Sequence, residues 1–368
     1  MDYRLVCTSC GEKYDRDSGR FRCSCGGILE VKYDYSTLRL PKRFREETPS
    51  HQKYLPLFPV KKLVSLGEGG SDLIKAKSIG WPLKNVDLFL KIETENPTRT
   101  FKDRGSSVEI AKAKELGFGH VCCASTGNMG LSLAAYAKRA GMECTVFISR
   151  SGNRKKIEKI RKAGAKLVLV NGDFNKCLSA AEQFARRRNV FVCGDYHYRK
   201  EGQKSVGFEI IDQLGRVPDY IFVQAGNATL LAAIFKALDE YKRIGFIKRL
   251  PRLVAVQSMQ CDPLIRAFKK KREIKYVAPE TEADAIAVGF PTFGFEGLNA
   301  LRKTGGDAIA VHDRSILWTS QKLAKHMGIK SELGGAAGLA GFLEIYGDDM
   351  KRFDGKTVVA IITGNNED

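Results

Sequence analysis

Apolar runs alternate with helix-like segments along most of the chain, and polar loops follow where the apolar runs end. The first series predicts strands over residues 120–124, 144–149, 166–170 and 190–193, with helices over 131–140, 154–163 and 178–187. A second series predicts strands over 220–223, 253–257 and 358–362, with helices over 230–241, 317–327 and 335–344. Such alternation favours right-handed crossovers and parallel sheets. We therefore expect an α/β fold with two doubly wound domains and a cleft between them.

The expected domain bounds follow these two series. A small N-terminal segment covers residues 1–35, and a Pro-rich connector follows it. A large α/β domain is expected over 36–110 and 206–368, with a smaller α/β domain inserted over 111–205. Residues 272–283 are mostly polar and contain Pro279, so they predict a loop.

One lysine lies where a strand-like run turns into a helix-like one. Lys102 follows the apolar run 88–92 and the turn Asn96-Pro97-Thr98, and residues 106–114 predict a helix. A lysine amine becomes a covalent catalyst when a protein fixes it near a carbonyl cofactor and lowers its proton affinity. Most lysines are instead solvated surface charges, so the role of Lys102 depends on the other loops.

Three later loops could bind an anion and an aromatic ring. Gly226-Asn227-Ala228-Thr229 precedes a helical run, where small residues let backbone amides approach a phosphate and the helix dipole attracts it. An ordinary N-capped helix start is the alternative. Thr363 could hydrogen-bond a ring nitrogen, and the Asn128 amide could reach a phenolic oxygen. Turn residues that bond their own backbone are the alternative for both.

Four of the ten cysteines form two close pairs, Cys7 with Cys10 and Cys23 with Cys25. Two such pairs separated by a short hairpin-like stretch suit tetrahedral thiolate ligation, which predicts a structural zinc because no coordination position stays open. A metal-free remnant is the alternative. The other six cysteines lie mostly in apolar runs and are expected to be small buried hydrophobes.

Bulk composition narrows the class of protein. With 368 residues and 43% hydrophobic content the chain can bury a sizeable core. No apolar stretch approaches the roughly 20 residues of a membrane span, and we expect a cytoplasmic protein without membrane contact. The net charge of +19 favours anionic partners. The basic runs lie in helix-like segments with apolar positions, so solvated helix faces are favoured over a nucleic-acid groove.

The order of these motifs resembles the pyridoxal-phosphate (PLP) enzymes of the tryptophan-synthase β-subunit fold, fold type II, and most closely the threonine synthase family. The resemblance covers nearly the whole chain. Residues 7–34 resemble the family's N-terminal zinc ribbon, and Ser65-Leu66-Gly67-Glu68-Gly69 resembles a motif that precedes the lysine. Phe101-Lys102-Asp103-Arg104-Gly105 and Arg199-Lys200-Glu201-Gly202-Gln203-Lys204 are further matches.

The resemblance implies how the cofactor is held. Lys102 would form an imine with PLP in the cleft and shuttle protons at the substrate's Cα and beyond. Asn128 would face the cofactor's O3′, Gly226 to Thr229 would hold its phosphate, and Thr363 would bond the pyridine nitrogen. A hydroxyl there would not force protonation of the ring, so the electron sink would be tempered.

The resemblance also implies a phosphorylated amino-acid substrate. In this family O-phospho-L-homoserine loses its γ-phosphate before water adds at Cβ, and the product is L-threonine. The substrate phosphate needs a second anion site. The candidate substrate-binding residues are Lys91, Ser125, Thr126, Arg199 and Lys204. Arg199 leads because it lies at the family's matching position, and a surface ion pair with Glu201 is its alternative.

Departures from the family pattern concentrate near the expected substrate. Arg99 and Thr100 replace the Gly-Ser of the family's Thr-Gly-Ser, and Met129 lies where a residue with a hydroxyl group is common. Tyr196-His197 replaces the family's Asn-Pro, and Phe290 replaces the Asn of its Gly-Asn-Pro. A charged Arg99 and an apolar Met129 would change which side chain fits.

Three functions follow from these observations. The leading hypothesis is a threonine-synthase-type lyase. The second is a related PLP enzyme on another amino acid, either a phosphoserine-using β-replacement synthase such as cysteate synthase or a serine/threonine dehydratase. The third is a noncatalytic, nucleic-acid-binding derivative. A homodimer is one arrangement that the sequence allows.

Overall fold

The computed structural model describes residues 1–76, 78–80, 82–125 and 127–365. Within them the strands are β1 (Tyr3–Cys7), β2 (Lys13–Tyr14), β3 (Leu29–Tyr33), β4 (Leu73–Lys75), β5 (Val86–Ile92), β6 (His120–Ser125), β7 (Glu143–Ser149), β8 (Lys166–Val170), β9 (Phe191–Val192), β10 (Tyr220–Gln224), β11 (Arg252–Ser258), β12 (Asp307–Val311) and β13 (Lys356–Ile362).

The α-helices of the same residues are α1 (Lys102–Glu115), α2 (Asn128–Ala140), α3 (Arg154–Lys162), α4 (Phe174–Arg188), α5 (His197–Gln203), α6 (Ser205–Leu214), α7 (Thr229–Arg243), α8 (Pro263–Lys270), α9 (Gly294–Lys303), α10 (Asp313–Met327) and α11 (Leu333–Asp348). Among the described helices, none has the length and hydropathy that a membrane crossing requires.

Two compact units make up the chain. The first consists of Met1–Gly70 and Lys102–Ser205, and the second of Ser71–Phe101 and Val206–Asp368. The predicted three-part domain division stays a prediction. It differs from the two units in residues 36–70 and 102–110, both of which group with the first unit. Residues 102–110 do so because α1 packs against α2 and α5.

The first unit contains two sheets. Strands β2, β1 and β3 form a small antiparallel sheet, and strands β8, β7, β6 and β9 form a parallel one in that order. Apolar side chains of β1 and β3, such as Leu5 and Val31, share one core cluster with Val121 and Val146 of the parallel sheet. The N-terminal segment is therefore packed into this unit through a common core.

The second unit has one six-stranded mixed sheet in the order β12, β11, β10, β13, β5, β4. Only β4 runs antiparallel to its neighbour among these described strands. β13 lies inside the sheet and is buried from Thr357 to Ile362, which explains its unbroken apolar run. Ile362 pairs with Ile92 of β5, so the loops that follow both strands leave the same edge of the sheet.

The predicted α/β class is confirmed, and the sheets are both parallel and mixed. Helix α1 begins at Lys102 instead of residue 106. Its first turn holds buried Asp103 and Arg104, which interrupt the apolar period although they face the protein interior. The sequence pattern also did not predict α5, α6, α8, α9 and β12.

Candidate active site

The chain is held in place just before Lys102 by bonds within the second unit. Phe101 donates its backbone N–H to Thr363 O at 3.0 Å. Asn365 donates its backbone N–H to Arg99 O at 2.9 Å, and Arg99 N–H bonds Asn96 O at 2.7 Å. Thr363 ends β13, so the terminal strand fixes the segment from which Lys102 starts α1.

Arg99 lies in this segment with a left-handed backbone, at a φ of 58°. A non-glycine residue in that conformation is strained by roughly 1–2 kcal/mol, because its Cβ approaches the following carbonyl. The family pattern has glycine here, and the geometry explains why. Arg99 keeps the glycine conformation and adds an exposed guanidinium group.

Lys102 lies beside an acid within the first unit. Its Nζ is 4.0 Å from Asp195 Oδ1, and the two side chains are 18% and 10% exposed. The Lys102 carbonyl oxygen accepts a hydrogen bond from Arg199 Nη1 at 2.9 Å. Both the backbone and the amine of the lysine are therefore contacted by residues 195–199. Sequence reasoning missed Asp195, because a single aspartate carries no motif.

A serine at the end of β6 accepts hydrogen bonds from the start of α2 and the residue before it. Ser125 Oγ accepts hydrogen bonds from the backbone N–H groups of Gly127 (2.9 Å) and Gly130 (2.8 Å). Those bonds leave the Ser125 hydroxyl proton to be donated elsewhere. Asn128 is buried and begins α2. Thr126, predicted to bind substrate, lies outside the described residues.

A buried lysine that the sequence analysis did not select touches this loop. Gly127 has a φ of 150°, and a Cβ at that position would lie 2.5 Å from Lys156 Cδ. Lys156 is only 4% exposed. It belonged to a basic run interpreted as a solvated helix face. Its i, i+4 spacing from buried Ile160 on α3 was the signal that could have found it.

The predicted phosphate loop has the backbone form of an anion site in the second unit. Ala228 caps α7 with a left-handed φ of 58°, and its methyl side chain makes no capping hydrogen bond. Gly226 lies so close to neighbouring backbone that a Cβ would be 3.1 Å from Ile286 Cα. Asn227 Oδ1 accepts from Thr292 N–H at 3.1 Å, which holds the loop. The first-turn N–H groups of α7 therefore have no side-chain cap from Ala228.

Thr363 is oriented by a glutamine on the neighbouring strand. Gln224 Nε2 donates to Thr363 Oγ1 at 2.6 Å, and to the carbonyl oxygens of Gly335 and Ile361. Thr363 is buried. Since its oxygen accepts from Gln224, its proton can point away toward an acceptor such as a ring nitrogen. The described residues give that proton no acceptor.

Two of the predicted substrate cations are used inside the protein. Lys91 Nζ bonds Ser71 O at 2.5 Å, Glu209 Oε2 at 2.8 Å and Gln213 Oε1 at 2.9 Å. An ammonium group has three N–H donors, so this set uses them all. Lys204 is fully buried and pairs with Glu201 at 2.6 Å. The geometry therefore makes both lysines partners of internal carboxylates.

Arg199 is the third such cation. It is fully buried, and its Nη2 pairs with Glu109 and bonds Ser106 Oγ at 3.0 Å. The predicted alternative, a surface pair with Glu201, is wrong because Arg199 lies inside the unit and binds Glu109. Burial raises the pKa of Glu109 to about 7, although Arg199 and the Gly194 N–H favour its charged form. Arg199 thus supports the start of α1.

The four clustered cysteines meet at one point in the first unit. Their sulfur atoms all lie within 4.8 Å of one another, with Cys7 3.6 Å from Cys25 and Cys10 3.5 Å from Cys23. A tetrahedral zinc site with the usual Zn–S bond has sulfur atoms about 3.8 Å apart. A Cβ on Gly27 would come within 2.8 Å of Cys7 Sγ, so this turn needs glycine.

Comparison with known proteins identifies the family of this chain. The family of pyridoxal-phosphate dependent enzymes matches the chain over residues 64–364. A threonine synthase of Methanocaldococcus jannaschii is 37% identical over 372 aligned positions, covering 98% of this chain and 91% of that protein. The chain belongs to the threonine synthase family. A threonine synthase of Methanosarcina acetivorans is 36% identical over 373 positions, covering 99% and 91%. The family resemblance inferred from the sequence is confirmed.

Solved structures resemble the fold of this threonine synthase family member. A serine ammonia-lyase from Rhizomucor miehei has a TM-score of 0.72 at 20% identity, over 81% of this chain and 94% of that one. Maize serine racemase has a TM-score of 0.71 at 22% identity, over 81% and 88%. At these identities the likeness shows the fold alone.

Proposed function

We propose that this protein is a PLP-dependent threonine synthase, which converts O-phospho-L-homoserine and water to L-threonine and phosphate by elimination and replacement. The observation that carries the proposal is the identity of 36–37% over nearly the whole chain to proteins named threonine synthase. The chemistry of that family requires a lysine that holds the cofactor, a loop that binds its phosphate and a hydrogen-bond partner for its ring nitrogen. The candidates in this chain are Lys102, the loop Gly226–Thr229 and Thr363.

The residues fit PLP by two structural observations. Gly226 approaches neighbouring backbone so closely that a Cβ would lie 3.1 Å from Ile286 Cα, and Ala228 provides no side-chain cap for α7. Thr363 holds an unused hydroxyl proton because Gln224 donates to its oxygen. We propose that the loop Gly226–Thr229 binds the cofactor's phosphate, Thr363 its ring nitrogen and Asn128 its O3′. Bound PLP would supply the sink for the electron pair left at the substrate Cα.

The chain's own residues would then move protons and bind substrate. Lys102 would hold the cofactor and take up the Cα proton, since its amine is the one basic group that the family motif provides there. Ser125 would donate its remaining proton to the substrate. Lys156 would pair with the substrate's phosphate, because it is a buried cation whose side chain lies against Gly127, next to Ser125 and Asn128 in the sequence.

A related PLP lyase on another amino acid is the second candidate. Two observations favour it: Arg199 bonds Glu109, Ser106 and the Lys102 carbonyl inside the protein, and the Asp195 carboxylate lies 4.0 Å from Lys102 Nζ. The first occupies a cation that could have bound a substrate phosphate, and the second reduces the positive potential near Lys102.

We further propose that Cys7, Cys10, Cys23 and Cys25 hold a structural zinc. Their sulfur separations suit a tetrahedral site, and Tyr14 OH lies 3.1 Å from Cys23 Sγ, where it can support a thiolate. Metal analysis of the purified protein should find one zinc per chain. Less than a tenth of that amount in a folded preparation would contradict the proposal. A cytoplasmic location stays a prediction.

The experiment that tests the enzymatic proposal has two stages. The purified protein should absorb visible light through bound PLP, and borohydride reduction should fix the cofactor on the peptide that contains Lys102. Phosphate and threonine should then form in equal amounts from O-phospho-L-homoserine, and not from O-phospho-L-serine or L-serine. No absorbing cofactor would reject both enzyme candidates. Preference for a serine derivative without threonine formation would favour the second.

A further inference from the structure

We propose that Asp195 is the carboxylate partner of Lys102 and stabilises the protonated form of its amine. The proposal rests on the role assigned above to Lys102 and deepens it. Asp195 would be a positioning residue, since it acts on the substrate only through the lysine. Neither the family motif nor the matched positions discussed above assign it a function.

The first support is the direct geometry of the pair. The two charged atoms are 4.0 Å apart, and both side chains are mostly shielded from water. The Asp195 backbone is held in a tight turn, because Tyr196 N–H bonds Gly194 O at 2.6 Å and Gly194 has a φ of 144°. Only glycine adopts that conformation without strain. The turn therefore fixes where residue 195 lies.

The second support is a closed ring of contacts that joins both members of the pair to one buried acid. Glu109 Oε1 accepts the Gly194 N–H at 2.8 Å, next to Asp195. Glu109 Oε2 pairs with Arg199, and Arg199 Nη1 bonds the Lys102 carbonyl at 2.9 Å. The ring runs from the Lys102 backbone to the Asp195 backbone, and the 4.0 Å approach of their side chains closes it.

A carboxylate in this position would help Lys102 to act as a base. When Lys102 acts as a base it gains a proton and a positive charge, while the electron pair of the broken C–H bond stays with the substrate. An opposite charge at about 4 Å, partly shielded from solvent, stabilises the charged amine. No proton passes to Asp195. The carboxylate would hold the proton on Nζ until Lys102 returns it to the substrate.

The test measures the visible absorbance of the holoenzyme as a function of pH. That absorbance reports the protonation of the nitrogen that joins Lys102 to the cofactor. In Asp195→Asn the midpoint should fall by about one pH unit, because an adjacent opposite charge shifts a titration by that order. Asp195→Glu keeps the charge and should retain a midpoint within about 0.3 units of wild type.

The control removes a carboxylate of matching burial elsewhere. Asp262 is 13% exposed at its side chain and pairs with Arg266 at 2.6 Å, so Asp262→Asn should leave the midpoint unchanged. An unshifted midpoint in Asp195→Asn, or an equal shift in Asp262→Asn, would overturn the proposal. If Asp195→Asn does not fold, a shift of a full unit in folded Asp195→Glu would also overturn it. A wild-type holoenzyme without visible absorbance would instead refute the proposed function.

Discussion

The strand end at Thr363 and the helix that carries Arg199 are both buried, but their hydrogen-bonding groups are used differently. Thr363 accepts one bond from Gln224 and keeps a proton to donate. Arg199 bonds Glu109, Ser106 and the Lys102 carbonyl, all within the protein. A polar side chain can bind a ligand when its neighbours orient it but leave one of its hydrogen-bond donors available. A cation that meets a buried carboxylate becomes part of the framework instead.

Lys91 and Lys156 are both buried, and we propose that only Lys156 binds the substrate. Lys91 uses three N–H donors on Ser71, Glu209 and Gln213. The aliphatic chain of Lys156 packs against Gly127, next to Asn128, the residue proposed to face the cofactor. Four substitutions test this division between framework and ligand-binding groups, and a fifth tests the backbone strain at Arg99.

Lys91→Met should have the largest effect, on stability. It leaves Glu209 as a buried charge without its cation, so the free energy of unfolding should fall by about 3–5 kcal/mol in urea titrations. The control is Lys75→Met, whose pair with Asp87 is 55% and 42% exposed. It should change stability by about 1 kcal/mol at most. A higher KM for substrate at unchanged stability in Lys91→Met would restore the ligand role.

Glu109→Gln should change how stability depends on pH. The folded protein keeps a proton on Glu109 up to about pH 7, whereas the unfolded chain loses it near pH 4.5. A raised folded pKa makes wild-type stability fall as the pH rises through this window. The variant cannot titrate there. Its stability relative to wild type should therefore rise by about 3 kcal/mol from pH 4.5 to 7.

Urea unfolding at a series of pH values measures that difference. A difference that stays constant from pH 4.5 to 7 would show that Glu109 titrates normally, as an ordinary exposed glutamate does. The offset between the two proteins at any single pH does not matter to the test, because only the slope reports the titration.

Lys156→Met should raise the KM for O-phospho-L-homoserine about tenfold to a hundredfold, since it removes a charge-assisted bond to phosphate. Steady-state kinetics gives KM and kcat separately. The neighbouring Lys155 is exposed on the same helix, and Lys155→Met should leave KM unchanged. Equal effects in both variants would indicate general surface charge instead of a binding site.

Thr363→Val should lower kcat about tenfold, because the bound ring nitrogen loses its hydroxyl donor. The visible absorbance of the cofactor should shift with it. Thr363→Ser keeps the hydroxyl and should stay close to wild type in both measurements. A normal kcat in Thr363→Val would remove this residue from the cofactor site.

Arg99→Gly should have the smallest effect and should stabilise the protein. Glycine relieves the left-handed strain but adds freedom to the unfolded chain, so the net gain should be about 0.5–1 kcal/mol. Lys271 has a φ of 50° at the end of α8, and Lys271→Gly should gain a similar amount in urea unfolding. A loss of stability in Arg99→Gly alone would mean that its side-chain contacts outweigh the strain.

The residues proposed for the cofactor were selected from the sequence because they depend on local features. A loop of small residues before a helix can bind a phosphate, and a threonine at a strand end can donate a hydrogen bond. Neither property depends on partners distant in sequence. The position of Lys102 between a strand-like and a helix-like run is a local feature of the same kind. The alternation of apolar runs likewise predicted the α/β class.

The internal partners of the predicted substrate residues could not be predicted, because those partners are distant in sequence. Arg199 meets Glu109, 90 residues away, and Lys91 meets Glu209, 118 residues away. No local pattern encodes such pairs. The departure at Arg99 was visible in the sequence, but its left-handed backbone was not.

The most direct test of the proposed chemistry is the fate of oxygen-18 from labelled water. Elimination breaks the carbon–oxygen bond of O-phospho-L-homoserine, and water then adds at Cβ. Mass spectrometry should therefore find one oxygen-18 in the threonine formed and none in the phosphate released, with neither product formed by Lys102→Ala. Labelled phosphate together with homoserine would show phosphorus–oxygen cleavage and would contradict a threonine synthase.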